Sequence, residues 1–202
     1  MTKRTQTYKR PMRGSGMTAK EVRAIVAGMA ETKRFALANT ANVPAAAGTV
    51  INLTNGVIQG DNVNERSGDK IKLTKQILRV RFSAVVASQT VRFILFKDNT
   101  NRGTTPAVTE LLNSASLMSQ YNPTTMVQQR FTVLADVSLN GNLNGEAIKE
   151  RVISRNSKYS VYYSGGTAIA TANGPGATFV LVIGETASGL FDIGYEVHYL
   201  DL

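Results

Sequence analysis

The stretch Phe191-Asp192-Ile193-Gly194-Tyr195-Glu196-Val197-His198-Tyr199-Leu200 alternates without a break. A period of two sets Phe191, Ile193, Tyr195, Val197 and Tyr199 on one face of a strand and Asp192, Gly194, Glu196 and His198 on the other. This is one half-buried strand. Toward the N-terminus the same period, or a short apolar run, recurs over Ala177 to Ile183, Tyr159 to Tyr163, Ala147 to Ser154, Phe131 to Leu139, Thr90 to Lys97, Ile71 to Val86 and Thr49 to Leu53. Clusters of Gly, Asn, Thr and Ser separate the runs, as all-β chains require at their turns. One short helical candidate lies near Ala107 to Leu117. About eight strands predict an all-β fold, a two-sheet sandwich or a barrel, for which an eight-stranded jelly-roll sandwich is the natural count. No internal repeat is visible.

With 202 residues, the chain allows one domain plus an appendage. Hydrophobic residues at 43% and charged residues at 18% exclude global disorder. The absence of cysteine excludes a disulfide framework, a thiolate zinc site and a cysteine nucleophile. The apolar run Phe179-Val180-Leu181-Val182-Ile183 is far short of the ~20 residues of a membrane span, so no membrane partner is expected. The N-terminus has cations but no apolar stretch behind them, which argues against a secretory signal.

Charge divides the chain unevenly. The first 34 residues hold nine Lys and Arg against two Asp and Glu, 9 − 2 = +7, and residues 35–202 hold 14 against 12, or +2. That assigns the charge to an arm and leaves the body nearly neutral, the arrangement of a tether for a polyanion. Within the arm, Lys3, Arg4, Lys9, Arg10 and Arg13 stand among Pro11, Gly14 and Gly16 with little apolar content, so residues 1–17 are expected to be disordered without a partner. At Thr18-Ala19-Lys20-Glu21 a capping box opens, and Val22, Ile25, Val26 and Met29 follow at helical spacing. An amphipathic helix over 18–34 is predicted, with Lys20 and Arg23 off its apolar stripe, ahead of a β domain over 35–202. Such a helix either docks on its own domain or packs on copies of itself and turns its cations to nucleic acid; periodicity does not choose.

No reaction chemistry emerges. His198, the single histidine, has no serine, cysteine or paired carboxylate motif around it, and neither GxGxxG nor GxxxxGK[ST] occurs. Glu146 and Glu150 share a strand face, which surface solvation explains. An enzyme and a small-molecule substrate are therefore not expected. Asp61, Asp69 and Asp201 offer oxygen in loops or near a terminus, as hard cations require, but a loop aspartate is also an ordinary turn former.

Several blocks then point to a family. Lys33-Arg34-Phe35-Ala36-Leu37, Ile58-Gln59-Gly60-Asp61, Arg66-Ser67-Gly68-Asp69, Phe96-Lys97-Asp98-Asn99, Asn101-Arg102-Gly103-Thr104-Thr105-Pro106, Met118-Ser119-Gln120-Tyr121-Asn122-Pro123 and Asn173-Gly174-Pro175-Gly176-Ala177 resemble, in order, the coat proteins of satellite tobacco necrosis viruses. The resemblance implies a jelly roll that assembles with itself into a T=1 icosahedral capsid of 60 subunits around single-stranded genomic RNA. A virion component made in the cytoplasm of an infected plant cell is implied with it. So is a helix that bundles with two others and contacts RNA, making Lys3, Arg4, Lys9, Arg10, Arg13, Lys20, Arg23 and, on the inner wall, Lys72 the RNA-binding residues. Ala24 and Gln129 stand where the family pattern is basic. Family members also hold calcium between subunits. The matching positions are Glu31, the carbonyls of Ser67 and Lys70, and Asp201 for an interface site, Asp61 for a threefold ring, and the Asn144 carbonyl for a fivefold site.

The alternative is a soluble single-stranded nucleic-acid-binding β-barrel protein with a basic tail. Such a protein needs aromatic stacking positions on one sheet face, and aromatics here are 7% with no tryptophan.

Overall fold

The computed structural model describes residues 18, 31–43, 47–100, 103–163, 174–187 and 189–201. The chain divides into two compact units, Met1–Ala30 and Glu31–Leu202. Apart from Thr18, the first unit lies outside the described residues, and with it the expected arm and the apolar stripe of the expected helix.

Among the described residues, nine strands build the second unit: β1 (Thr32–Asn42), β2 (Thr49–Asn52), β3 (Lys70–Ser83), β4 (Gln89–Asp98), β5 (Phe131–Gly141), β6 (Ile148–Asn156), β7 (Ser160–Tyr162), β8 (Thr178–Gly184) and β9 (Leu190–Asp201). Two short helices, α1 (Val108–Leu111) and α2 (Pro123–Val127), lie between β4 and β5. The runs read from sequence coincide with β2 to β9, so the expected count of eight is corrected to nine by β1. Its segment Ala36-Leu37-Ala38-Asn39-Thr40-Ala41-Asn42 is small and polar, with weak strand propensity, and its first inward position is a lysine. Pairing with β9 from Thr32↔Leu200 to Asn42↔Leu190 makes it a strand regardless. Residues 32–34 are therefore strand, which corrects the limit of 34 expected for the N-terminal helix.

The strands form two antiparallel sheets. One runs β1-β9-β3-β6 with β7 also on β3, and the other runs β2-β8-β4-β5. β6 pairs along Lys75–Ser83 and β7 along Lys70–Lys72, so one sheet position is filled in two pieces. Opposite the break, the register of β3 on β9 shifts between Leu73 and Lys75.

Apolar alternation places the core. Phe82, Phe191, Tyr195 and Tyr199 from the first sheet meet Phe93, Leu95, Val180 and Val182 from the second. A second cluster lies on the other face of β4 and β8, where Ile94, Phe96, Phe179 and Leu181 are covered by Leu111, Leu112 and Phe131. Phe96 sits edge-on to Phe131 at 5.4 Å and stacks on Phe179 at 5.6 Å. Burial on both faces explains why β8 is apolar throughout instead of alternating. One polar network crosses the interior: Tyr195 donates to Gln76 Oε1 at 2.8 Å, and Gln76 Nε2 donates to Ser157 Oγ at 2.6 Å and to the Tyr159 hydroxyl at 2.8 Å. Its members satisfy one another, and so it pins the segment between β6 and β7. Among the described residues, no helix is long and apolar enough to cross a membrane.

Candidate functional site

Three segments converge where β1 begins and β9 ends. Antiparallel pairing puts Lys33 opposite Tyr199, and the Asp201 amide donates to the Glu31 carbonyl at 3.1 Å. On the other side of β9, Ile71, next to Lys70, is the register partner of Asp201. The third segment is the loop from Ile58 to Asp69. It closes on itself through Gly60 N donating to Arg66 O and Arg66 N donating to Ile58 O, both at 2.9 Å. Arg66 is 1% exposed, lies 4.3 Å over the Tyr163 ring, and donates to the Gly68 carbonyl and to Asp69 Oδ1. A buried guanidinium thus fixes the backbone on which Ser67 sits.

Asp201 is the centre of this cluster. Its Oδ2 accepts from the Ser67 amide and the Ser67 hydroxyl, each at 2.8 Å, and lies 3.1 Å from Lys33 Nζ. Lys33 Nζ is also 3.5 Å from Glu31 Oε2. The Lys33 side chain is 2% exposed and that of Asp201 5%, so this is a buried ion pair, whereas the Glu31 carboxylate is 64% exposed. Burial pushes the Asp201 carboxyl up, but the Ser67 hydrogen bonds and the Lys33 ammonium outweigh it and the net shift is downward. Burial likewise pushes Lys33 down, and the hydrogen bond and charge of Asp201, with Glu31, bring it above its ordinary value. Asp201 Oδ1, by contrast, is buried with no hydrogen-bond partner.

That asymmetry decides what the cluster can hold. One carboxylate oxygen, Oδ2, is saturated by donors, and the other, Oδ1, is an unused acceptor on a residue whose neighbours along the chain and across the sheet include Glu31, Ser67 and Lys70. The donors are all oxygen, which suits a hard cation, and they are fewer than the six to eight oxygens, about, that calcium takes. The Ser67 carbonyl already accepts from Gln59 Nε2 at 3.1 Å and keeps one lone pair.

The structure brings Glu31, Ser67, Lys70 and Asp201 to one place and leaves the other implied positions apart. Asp61 is exposed at the tip of the Ile58–Asp69 loop, in a turn closed by Glu65 N donating to Asn62 O at 3.0 Å and Asn62 N donating to Glu65 Oε2 at 3.0 Å. Asn144 is exposed in the turn between β5 and β6, its amide donating to Asn142 Oδ1 at 2.9 Å. Among the described residues, no three His, Cys, Asp or Glu side chains gather as a metal site. Asp69 serves Arg66.

Lys72 is exposed on β3, and the other expected RNA-binding residues, Lys3, Arg4, Lys9, Arg10, Arg13, Lys20 and Arg23, lie outside the described residues. His198 Nε2 is 2.8 Å from Glu196 Oε1, two residues away on the same strand face. Sequence reasoning missed Lys33. It stands two residues before Phe35, and both are buried in β1, but a lysine at that position carries no apolar signal in the sequence.

A family model described as Satellite tobacco necrosis virus coat protein matches residues 1–202. The capsid protein of Satellite tobacco necrosis virus 1 is 52% identical over 189 residues, 94% of this chain and 96% of that relative. The coat protein of Satellite tobacco necrosis virus 2 is 51% identical over 184 residues, 91% of this chain and 93% of the relative. The coat protein of Maize white line mosaic Satellite virus is 32% identical over 169 residues, 81% and 77% of the two chains.

Proposed function

Because the chain belongs to the satellite tobacco necrosis virus coat protein family, we propose that it closes with 59 further copies into a T=1 shell of 60 and packages single-stranded RNA through its basic N-terminal arm. As a coat protein it has a structural task in the virion. The two sheets are read as those of a jelly roll, with β6 and β7 sharing one strand position. What supports the reading best is that the match spans the whole chain, so the cationic arm and the β sandwich come as one unit. Two open sheets also fit the β-barrel alternative poorly.

The physics of assembly follows from the charge. Residues 1–30 hold seven Lys and Arg against Glu21, 7 − 1 = +6. One such arm binds RNA weakly at physiological salt, because its gain comes mostly from counterion release. Many arms engaging one RNA act multivalently, and without RNA their like charges oppose closure. RNA is then both cargo and assembly partner. The coat protein itself is taken to be made in the cytoplasm of the infected plant cell.

Calcium is proposed at the same three places the resemblance implies. The unused Asp201 Oδ1 fits a partial site that Glu31, the carbonyls of Ser67 and Lys70, and a neighbouring subunit would complete. Bound there, calcium supplies the positive charge that lets carboxylates of adjoining copies approach. Three copies of Asp61 around one axis, and the Asn144 carbonyl around another, are the further positions.

The test compares full-length protein with a variant carrying Gln at Lys3, Arg4, Lys9, Arg10 and Arg13. With RNA and calcium, the unaltered chain should sediment as one large uniform species and the variant should not. Lone subunits under those conditions would defeat the shell reading, and efficient closure without RNA would defeat the packaging mechanism. For calcium, Asp201→Asn should lower the number of calcium ions bound per subunit in the particle and reduce its chelator sensitivity; an unchanged calcium stoichiometry removes the interface assignment.

A further inference from the structure

We propose that Lys33 is a built-in counter-cation that sets the calcium affinity of the Asp201 site: it holds the carboxylates together in a lone subunit and keeps the metal weakly bound. The inference rests on the calcium reading above and adds to it a residue that belongs to none of the implied ligand sets. Unlike a metal, this cation is tethered and cannot leave.

The ammonium stands where a metal's charge would be used. Lys33 Nζ lies 3.1 Å from Asp201 Oδ2 and 3.5 Å from Glu31 Oε2, so one cation already bridges the two carboxylates assigned to the interface site. The strand enforces this position: Thr32 and Arg34 are exposed, and the alternation of β1 turns Lys33 inward opposite Tyr199. An ammonium buried to that degree requires a partner, and Asp201 is that partner. The second lysine of the site behaves differently. Lys70, whose carbonyl is an implied ligand, has its Nζ 5.3 Å from the Tyr162 ring centroid, and among the described residues it pairs with neither carboxylate. Glu65 also feels the Lys33 charge, but its carboxylate accepts from the Asn62 amide at 3.0 Å and belongs to its own turn.

Lys33 weakens the site in two ways. With it, the charge of Glu31, Asp201 and Lys33 is −2 + 1 = −1. Calcium affinity follows the charge of the ligand set, so a site of this charge belongs at the weak end of the range, about 10⁻⁴ to 10⁻³ M. Lys33 and the two Ser67 donors also occupy Asp201 Oδ2 and leave Oδ1 as its free oxygen, so the carboxylate offers one oxygen where a bidentate one offers two. A lone subunit is therefore already neutralised at Asp201 and takes up little calcium. Uptake waits for the ligands of a neighbouring copy, which couples the metal to assembly. A merely structural ion pair predicts something else, because deleting its lysine would lower stability equally in calcium and in chelator.

The experiment uses full-length Lys33→Met and Lys33→Gln proteins as single subunits, with calcium affinity from isothermal titration calorimetry and urea midpoints in calcium and in chelator. Gln removes the charge yet keeps a donor for Oδ2, so it reports on the site even where the Met variant does not fold. A unit charge within about 4–6 Å of a carboxylate changes its proton affinity by about 10- to 1000-fold, so losing the ammonium should tighten calcium by at least about tenfold in either variant. The urea midpoint of the unaltered subunit should hardly respond to calcium, whereas that of Lys33→Met, low in chelator, should recover most of its loss when calcium is added. Calcium affinity that is unchanged or weaker in the folded variants, or a midpoint loss that calcium does not restore, overturns the proposal and leaves the pair a structural one. That failure is distinct from failure of the calcium reading, which shows in particles as an Asp201→Asn variant with undiminished calcium per subunit and overturns both.

Discussion

Replacing Lys33 by Met removes the cation from the buried pair and leaves Asp201 as a charge that is 5% exposed. Breaking a buried pair by deleting one partner costs about 3–5 kcal/mol, because the remaining ion keeps its desolvation penalty. The Ser67 amide and hydroxyl still bond Oδ2 at 2.8 Å, which moves the expectation to the lower end, about 3 kcal/mol. Against a total stability of about 5–15 kcal/mol this is a large fraction. The assay is urea unfolding of full-length protein in chelator, at a salt concentration where sedimentation shows single subunits. The midpoint should fall while the slope with denaturant stays constant. Adding Asp201→Leu to Lys33→Met should restore much of the loss, since the double variant has no orphaned charge. The same pair sets a pH window. Lys33 is raised in the folded state, so its contribution is complete below its unfolded value of ~10.4 and disappears as pH rises through the folded one; Asp201 is lowered, so its contribution is present above ~3.9 and disappears as pH falls. A Lys33→Met protein within about 0.5 kcal/mol of the unaltered chain, the ordinary range of a surface substitution, would refute the reasoning.

Two further sites give independent tests. Arg92 donates to Asp136 through Nε at 2.9 Å and Nη2 at 2.6 Å, the Tyr121 hydroxyl donates to the same carboxylate, and Arg92 Nη1 holds the carbonyls of Leu117 and Ser119. Burial raises the Asp136 carboxyl, but Arg92 and Tyr121 outweigh it and set it below its usual range, so Asp136→Asn should cost about 2 kcal/mol at pH 7. That cost should shrink as pH falls below ~3.9, and an urea-midpoint difference that stays constant from neutral to strongly acidic pH would contradict the assignment. At Gly176, φ is +90° and an added Cβ would run into the Ser160 carbonyl oxygen, so Gly176→Ala should lower stability by at least about 1–3 kcal/mol. An unchanged melting temperature would show that β7 and β8 can separate there freely.

How far the sequence could be read depends on what each segment faces. β9 was fully legible because one of its faces meets the core and the other does not, so burial wrote itself as strict alternation. β8 was legible for the opposite reason, being apolar on both faces, although nothing in the run Phe179–Ile183 reveals that α1 supplies the second cover. β1 was illegible because its partner, not its own propensity, makes it a strand, and because a buried lysine occupies an inward position where the pattern calls for an apolar residue. That one misreading concealed the Lys33–Asp201 pair. Glu31, Ser67, Lys70 and Asp201 came from family resemblance; no local spacing could join positions 31, 67 and 201, which only the pairing of β1, β3 and β9 brings together.

The same limit applies to charge. A net of +2 over residues 35–202 reads as a neutral body, and that is how it was read. Topology overturns it, because residues 70–83 and 148–158, some 70 residues apart in sequence, become one antiparallel ribbon of β3 with β6 and β7, and their charges add to 9 − 1 = +8 while the rest of 35–202 carries 2 − 8 = −6. At a Debye length of about 8 Å in physiological salt, an anion at the ribbon responds to the local excess and not to the distant acids. The ribbon is therefore a local cationic element within a body whose net charge is near zero.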